Sequence, residues 1–337
     1  MEMRKLGRTG IEVGIIGFGG IPIQRVSEEK ALSIIKAAKR EGMNFIDTAR
    51  GYSNSEELIG KGIEGQRGDW IIATKSTARD YLSMKKDIEI SLHNLRTNWI
   101  DLYQLHLIKT KEDYEKVMSH DGAYRALKEA QEAGLIKEIG ITSHNIEILE
   151  MTVETDDFST IQFPYNIVEN QGEELFKRAY QRNIGVIVMK PLAGGALTEG
   201  SLALRYIMEN PYVSVIIPGM DSEEQVVENS RVGNSYTPLK EKEKARLQEL
   251  KESLGNQFCR RCGYCLPCPQ GIDIPTNIIM EGYYTRYELK DWAKERYSGL
   301  PKKASDCALC GACEPRCPYN LPIREIMTRI RETFKIQ

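Results

Sequence analysis

The chain has 337 residues, with 46 Lys and Arg against 48 Asp and Glu, so its formal net charge is −2. This balance gives no reason to expect a nucleic-acid partner, and no apolar run approaches the roughly 20 residues of a membrane span. No apolar stretch follows the charged N-terminal residues, so there is no sign of a secretory signal. We therefore expect a cytoplasmic protein that contacts neither nucleic acid nor a membrane.

Short apolar segments recur along the first two thirds of the chain. Most of them are β-branched, compact and bounded by Gly, Asp or Pro, which is typical of buried strands. They predict eight strands, at Gly14–Gly19, Met43–Asp47, Trp70–Lys75, Ile100–His106, Ile136–Thr142, Thr160–Tyr165, Gly185–Lys190 and Val213–Pro218.

Amphipathic segments separate these strands. In Glu28–Arg40, apolar residues recur on one face and Gly42 follows as a stop signal. The run Ser53–Glu56 has the pattern of a capping box that opens the next helix. The later helices are predicted at Ser83–Leu95, Tyr124–Ala133, Asn145–Thr155, Glu173–Arg182, Ser201–Glu209 and Ser222–Asn229. A doubly wound open sheet would also satisfy this α/β pattern, but eight regular units favour a closed (β/α)8 TIM barrel.

The pattern divides the chain into three parts. Residues 1–237 are expected to form the barrel, and residues 238–255 a linking helix. Residues 256–337 hold all eight cysteines. The segment between the two cysteine runs is rich in Tyr, Arg, Lys and Glu, so we expect this last domain to be small and mostly helical.

Four polar residues stand at the predicted carboxyl ends of strands, where barrels carry their chemistry. Asp47 ends the second strand and Tyr52 lies in the loop after it, while Lys75 and His106 end the third and fourth. Each has a simpler interpretation. Asp47 would cap the next helix, Tyr52 would be a half-buried aromatic, Lys75 a solvated strand end and His106 a buried core histidine. Because the four groups follow successive strands of one barrel, together they predict a catalytic site.

At this point the sequence resembles the aldo-keto reductase family, over roughly residues 3–235. The glycine run Gly17–Gly20 is weak by itself and is not the dinucleotide fingerprint of a Rossmann fold, but the ordered set of motifs is specific. In chain order the motifs are Leu6–Gly10, Gly17–Gly20, Asp47–Glu56, Lys75, His106, Lys190–Gly195 and Ile217–Asn229. The resemblance implies an oxidoreductase that uses NAD(P)H to reduce a small-molecule carbonyl to an alcohol.

The resemblance implies a role for each of the four polar residues. Tyr52 would be the general acid that protonates the carbonyl oxygen, although the ordinary pKa of tyrosine, about 10, is high for that task. A neighbouring Lys75 ammonium would lower this pKa, and Asp47 would hold the ammonium in place. His106 would donate a hydrogen bond that orients the carbonyl.

The resemblance also implies a site for NADP(H) or NAD(H). Gln162, Thr142 and Ser143 are expected against the nicotinamide amide. Met189 takes the position at which many family members stack an aromatic ring, so contact with the nicotinamide face would come from a thioether. The other expected contacts are Gly19, Gly20, Lys190, Pro191, Leu192, Gly194, Pro218, Gly219, Asp221, Gln225, Glu228 and Asn229.

Asp221 departs from the family, which usually offers a cation or a hydroxyl near the adenosine 2′ position. A carboxylate there would suit the 2′-hydroxyl of NADH and repel the 2′-phosphate of NADPH. The alternative is that Asp221 only caps the following helix, with Glu224 three residues further on.

The eight cysteines form two runs with short, regular spacing. The second run, Cys307 to Cys317 followed by a proline, matches the C-x2-C-x2-C-x3-C-P pattern of bacterial ferredoxins, in which the fourth cysteine binds the other cluster. This rule predicts two 4Fe-4S clusters. The first would be held by Cys259, Cys262, Cys265 and Cys317, and the second by Cys307, Cys310, Cys313 and Cys268.

Two alternatives to this cluster assignment stay open. Zinc also accepts four thiolates, although zinc sites normally use two C-x2–4-C pairs rather than triplets closed by Cys-Pro. The first run has two residues rather than three before Cys268, so a single cluster would also fit.

An alternative function is a redox-sensing or electron-relay protein whose barrel mainly binds the dinucleotide, with a redox protein as partner. The complete set of four polar residues favours an enzyme instead. Nicotinamide gives two electrons as hydride whereas each cluster handles one, and the chain has no signature for a flavin that would divide the pair. We therefore expect the clusters to be structural or sensing.

Overall fold

The computed structural model describes residues 1–255, 258–261 and 263–335. The chain forms two compact units. The first, here called the barrel unit, comprises Met1–Leu192 and Glu199–Glu243. The second, the cysteine unit, comprises Ala193–Thr198 and the described residues from Lys244 onward. The predicted boundaries at residues 237 and 255 differ from this division and stay a prediction.

A parallel sheet of eight strands forms the centre of the barrel unit. Strands β3 to β10 pair in chain order, and each pair is parallel. Bridges from Ile16 to Ile216 and from Gly19 to Gly219 join the first strand to the last, so the sheet closes on itself. The predicted (β/α)8 barrel is confirmed, and the open sheet is excluded. Its strands are β3 Phe18–Gly19, β4 Phe45–Asp47, β5 Ile71–Ser76, β6 Ile100–Leu105, β7 Ile136–Thr142, β8 Thr160–Pro164, β9 Gly185–Met189 and β10 Val215–Ile216.

An antiparallel hairpin of two short strands, β1 Met3–Lys5 and β2 Glu12–Gly14, precedes the barrel. The sequence gives no signal for this hairpin, because strands of three residues are too short to show a pattern. Inside the barrel, apolar side chains from the hairpin loop and from several strands form a continuous buried cluster that includes Leu6, Phe45, Leu102, Ile187 and Val215. These residues fill the barrel interior, so polar chemistry is confined to the ends of the strands.

Helices follow the strands as predicted, with one addition, α4, which the sequence analysis missed. The helices are α1 Glu28–Arg40, α2 Ser55–Gly62, α3 Tyr81–Asn94, α4 Lys111–Met118, α5 Ala123–Glu132, α6 Ile146–Val153, α7 Glu173–Gln181, α8 Gly200–Met208, α9 Glu223–Asn234 and α10 Glu241–Leu254. The predicted capping box at the start of α2 is wrong. Asn54 is the N-cap and makes no side-chain cap bond, while the carboxylate of Glu56 is buried and accepts hydrogen bonds from Thr74 and Ser91.

The cysteine unit is helical in its described residues, as the sequence predicts. It contains α10 from Lys244 onward, and its other α-helices are α11 Ile274–Thr285, α12 Lys290–Ser298 and α13 Ile323–Thr333. The side chain of Asp273 caps α11 by accepting a hydrogen bond from the Thr276 amide, and Pro275 occupies the first turn. The core contains Ile274, Ile326 and Ile330 together with the thiols of Cys265 and Cys317.

None of the helices among the described residues is long and apolar enough to cross a membrane.

Candidate active site and cluster-binding residues

Lys75 and Asp47 form a buried ion pair where β5 and β4 end. Lys75 Nζ lies 2.6 Å from Asp47 Oδ1 and donates a second hydrogen bond to the Thr48 carbonyl at 2.7 Å. The two side chains are only 1% and 4% exposed. Burial lowers the pKa of Lys75 and raises that of Asp47, and the charge of each partner opposes the shift of the other. The ammonium is therefore fixed in place by two acceptors.

Tyr52 and His106 lie beside this ion pair. The Lys75 ammonium is 5.1 Å from the centre of the Tyr52 ring. The rings of Tyr52 and His106 meet edge to face, with centres 6.0 Å apart. The backbone fixes both loops, since the Tyr52 amide donates to the Ala49 carbonyl and the His106 amide to the Ser76 carbonyl. The structure thus brings together all four polar residues that the sequence singled out.

Gln104 is a site residue that the sequence analysis missed. Its amide nitrogen lies 3.4 Å from Asp47 Oδ2, and the side chain is fully buried. The strand period could have found it, because Gln104 stands two residues before His106 and therefore on the same face of β6. Gln104 therefore contacts Oδ2 of Asp47, whereas Lys75 bonds Oδ1.

Gln162, on β8, presents an unused acceptor. Its side chain is 1% exposed, and its amide group adds to the hydrogen bonds that oppose the rise in the pKa of Asp47. Its Oε1 atom has no hydrogen-bond partner among the described residues. Buried polar atoms are normally satisfied, so this oxygen suits a ligand with an N–H donor, such as the carboxamide of a nicotinamide.

The two hydroxyl groups at the end of β7 form hydrogen bonds with backbone groups of the protein. Thr142 Oγ1 accepts a hydrogen bond from the Leu107 amide. Ser143 Oγ donates to the Ile108 carbonyl at 2.6 Å and accepts from the Asn145 amide. Both hydroxyls therefore brace the loop that follows His106, and their contact with a nicotinamide amide stays a prediction.

The predicted glycines of the site are needed by the fold itself. A Cβ atom on Gly19 would lie 2.7 Å from the Pro218 carbonyl oxygen, and one on Gly20 would lie 2.9 Å from that of Asp47. A Cβ atom on Gly219 would meet the Pro22 ring at 2.7 Å. Close approach of a backbone carbonyl or of the Pro22 ring thus explains these three glycines without a ligand.

The backbone after β9 turns sharply. Met189 is partly buried, Lys190 has a left-handed φ of 54°, and the Asn166 side chain donates to the Lys190 carbonyl at 3.0 Å. Pro191 is buried and Leu192 is partly exposed. Gly194 belongs to the cysteine unit rather than to the barrel unit.

The start of α9 differs at Asp221 from what the sequence predicts. The alternative that Asp221 caps the helix is wrong, because Ser222 is the N-cap and its side chain accepts from the Gln225 amide. Asp221 instead forms an ion pair with Arg25 at 2.6 Å, and Gln225 Oε1 accepts from the Asp221 amide. Further along this helix, Glu228 is exposed and Asn229 is buried. Arg25 had no signal in the sequence, since it lies far from Asp221 along the chain.

Four cysteines line one cavity in the cysteine unit: Cys268, Cys307, Cys310 and Cys313. These are the four ligands predicted for the second cluster. Apolar side chains, among them Ile272 and Met327, complete the cavity wall. Burial raises the pKa of the Cys313 thiol, and the nearby Glu314, Cys307 and Cys268 act in the same direction. Thiols gathered in an apolar cavity suit an iron–sulfur cluster, whose iron atoms are coordinated by cysteine thiolates.

The ligands predicted for the first cluster are described except for Cys262, which lies outside the described residues. Cys265 and Cys317 are 8% and 7% exposed and belong to the apolar core, against which Cys259 packs. None of the seven described cysteines forms a disulfide. No three His, Cys, Asp or Glu side chains among the described residues lie close enough to hold one metal ion.

Both units resemble known protein families. Residues 11–202 match the aldo/keto reductase family, and residues 258–322, which include all eight cysteines, match a 4Fe-4S dicluster domain. The chain is 25% identical to the uncharacterised oxidoreductase YqkF of Bacillus subtilis, over 75% of this chain and 98% of that protein. It is 28% identical to L-galactose dehydrogenase of Arabidopsis thaliana, over 68% and 87%.

A solved structure supports the same likeness. The holo form of an aldo-keto reductase from Bacillus halodurans is 26% identical and has a TM-score of 0.66. The match covers 74% of this chain and 96% of that one.

Proposed function

Because the chain belongs to the aldo/keto reductase family and carries a 4Fe-4S domain at its C-terminus, we propose that it is an NAD(P)H-dependent reductase of small-molecule carbonyls. The observation that carries this proposal is the Lys75–Asp47 ion pair beside Tyr52 and His106. Reduction of a carbonyl needs a hydride on carbon and a proton on oxygen. The nicotinamide supplies the hydride when it is bound. The four side chains donate the proton and hold the carbonyl oxygen in position to receive it.

Tyr52 is the proposed general acid. The Lys75 ammonium beside its ring favours the tyrosinate that remains after proton transfer, which makes the phenol a better donor. Asp47 and the Thr48 carbonyl hold the ammonium in one position, so no reorganisation is needed as charge develops. His106 donates to the carbonyl oxygen and orients it towards Tyr52.

In the same proposal, Gln162 and Lys190–Leu192 bind the dinucleotide. The unpartnered Oε1 of Gln162 accepts from the carboxamide, and the turn at Lys190 follows the diphosphate. The two predicted 4Fe-4S clusters occupy the cysteine unit. The cavity that Cys268 shares with Cys307, Cys310 and Cys313 supports the ligand set proposed for the second of them.

The variant Tyr52→Phe tests the catalytic assignment. We expect carbonyl reduction to fall by about 10²–10⁴, the usual loss on removing a general acid. The dissociation constant of the dinucleotide should change no more than a few-fold, because the phenol does not hold it. Tyr124→Phe is a matched control, since this hydroxyl donates to the Asp157 carbonyl and lies on α5 rather than at a strand end. Unchanged turnover in Tyr52→Phe would contradict the assignment.

A further inference from the structure

The segment Ala193–Thr198 is joined at both ends to the barrel unit but packs as part of the cysteine unit. Ala193 and Gly194 are buried, and Ala193, Gly194 and Gly195 all have left-handed φ angles, of 49°, 65° and 81°. Such a run is strained at the alanine, so neighbouring groups must hold it. The segment directly follows Lys190–Leu192, the residues proposed to lie along the dinucleotide diphosphate.

Arg286 and Tyr287, at the C-terminal end of α11, hold this segment. Arg286 Nε donates to the Gly194 carbonyl at 3.1 Å. The Tyr287 ring also packs against Gly194, so closely that a Cβ there would lie 3.1 Å from its Cε2 atom. The conformation of the segment therefore depends on where α11 places these two side chains.

Gly282 gives Arg286 its position. A Cβ atom on Gly282 would lie 2.5 Å from Arg286 Nη2, so the guanidinium rests against the bare backbone of its own helix. The same glycine accepts the Arg286 and Tyr287 amides through its carbonyl oxygen. One turn of α11 thus fixes both of the residues that contact Gly194.

The other end of α11 packs against thiols. Ile274 and Ile278 share the apolar core of the cysteine unit with Cys265 and Cys317. Ile274 also lines the cavity that contains Cys268 and Cys307. The position of this helix therefore depends on how the cysteine loops are held, which is what a bound cluster determines.

We propose that α11 couples the cysteine unit to dinucleotide binding: with the clusters in place, Arg286 and Tyr287 fix Ala193–Gly195 and thereby the adjoining Lys190–Leu192. Arg286 is a positioning residue, and it acts through the backbone of Gly194. The inference rests on the proposed function, which assigns Lys190–Leu192 to the diphosphate. The iron–sulfur domain of this reductase is accordingly a sensor whose loading sets the affinity for NADH and NADPH.

Two variants of the iron-loaded, anaerobically purified protein test the coupling. We expect Arg286→Met to raise the dissociation constants of NADH and NADPH about tenfold, the effect of losing one hydrogen bond from a charged donor. Gly282→Ala should act in the same direction, because its methyl group displaces the guanidinium without removing the charge. Both variants should keep full iron content, and their kcat at saturating dinucleotide should stay unchanged while KM for the dinucleotide rises.

Arg246→Met is the matched control. Arg246 also lies in the cysteine unit, on α10, and its guanidinium bonds the Glu249 carboxylate of the same helix at 3.0 Å. Its loss should leave dinucleotide affinity unchanged. Removal of iron by a chelator should weaken dinucleotide binding to the unaltered protein, and should weaken it no further in Arg286→Met.

The outcomes separate the two proposals. If the unaltered protein binds dinucleotide but Arg286→Met and Gly282→Ala bind it equally well with full iron, the coupling is wrong and the proposed function stands. If the unaltered, iron-loaded protein binds neither NADH nor NADPH, the proposed function itself fails. Should Arg286→Met not fold, Gly282→Ala carries the test, because alanine is tolerated in a helix better than glycine.

Discussion

The guanidinium of Arg25 lies 2.6 Å from the carboxylate of Asp221, and both its Nε and its Nη2 reach the same oxygen. Arg25 follows β3 and Asp221 precedes α9, so the two residues come from opposite ends of the barrel sequence. Both side chains are partly exposed, at 25% and 18%. The Asp221 carboxylate is therefore neutralised by the Arg25 guanidinium. A group that binds beside this pair meets both charges.

This pair leads to a prediction about cofactor preference. We expect the unaltered protein to accept NADH at least as well as NADPH, because Arg25 is engaged by Asp221. Asp221→Asn, and more strongly Asp221→Arg, should shift preference towards NADPH by leaving a cation for the 2′-phosphate. Arg25→Met should shift it towards NADH. The measurement is the ratio of kcat/KM for the two dinucleotides, and equal ratios in all the variants would exclude this pair as the determinant.

The carboxylate of Glu56 leads to a prediction about stability. This carboxylate is 1% exposed and accepts hydrogen bonds from Thr74, Ser91, Asn94 and Arg50. Glu56→Ala leaves several of these donors unsatisfied in the interior, so we expect a loss of about 3 kcal/mol in the free energy of unfolding of the barrel unit.

Glu57→Ala is the control for this change, because the neighbouring side chain is exposed. Chemical denaturation followed by circular dichroism measures both variants. A Glu56→Ala protein as stable as Glu57→Ala would mean that the network contributes nothing.

The buried position of Glu56 could not be predicted from the sequence. The strands and the four site residues follow from local patterns, since apolar runs and strand ends are encoded within a few residues. Ser53 and Glu56 fit the local pattern of a capping box. In the structure, however, α2 has Asn54 rather than Ser53 as its N-cap, and the Glu56 carboxylate points inward to partners on β5 and α3. Only the closed barrel brings those partners together, as it does Arg25 and Asp221.

The segment Ala193–Thr198 could not be predicted for the same reason. Its sequence continues the barrel pattern, and nothing local indicates that Arg286 will bond Gly194 across 92 positions of the chain. The cysteine spacing, by contrast, predicted which four thiols would share a cavity, because the pattern in ferredoxin-like runs encodes that pairing directly.

Glu243 gives a prediction about pH. Hydrogen bonds from Arg205, with N–O distances of 2.7 and 2.9 Å, lower the pKa of Glu243 to about 2 from an ordinary value of 4.5. A carboxylate with a lowered pKa stabilises the folded state above pH 4.5, and this contribution is lost as the pH falls towards 2. Glu243→Gln should therefore lower Tm at pH 7, and its difference from the unaltered protein should shrink below about pH 4.5.

The control for Glu243 is the same change in an Arg205→Met background, where the difference in Tm should be small at every pH. Anaerobic thermal unfolding between pH 7 and 3 measures all four proteins. A difference that does not depend on pH would show that the ion pair does not set this pKa.

The iron content of Cys310→Ala tests the number of clusters and their ligands. Cys310 lines the cavity with Cys268, Cys307 and Cys313, and it is the exposed member of that set. Removing it should release the second cluster and leave the first, whose described ligands Cys265 and Cys317 lie in the apolar core. We expect about half the parental iron and sulfide per chain after purification without oxygen, because each cluster of this kind holds the same number of iron atoms. The barrel unit, with its own core, should remain folded and still bind dinucleotide, with the weaker affinity that the proposed coupling through α11 predicts for a protein that has lost a cluster.

Cys265→Ala is the matched variant for this test, because it removes a ligand of the other proposed cluster. It should also retain about half of the iron, and the double variant should retain almost none. If the unit held a single cluster with ligands from both runs, either single variant would lose nearly all its iron. If the site held zinc, metal analysis of the parent would find zinc without sulfide. Full parental iron in Cys310→Ala would exclude this cysteine as a ligand. Unfolding of the barrel unit in the same variant would show that the two units fold together, since a core as large as that of the barrel does not otherwise depend on a thiol of the other unit.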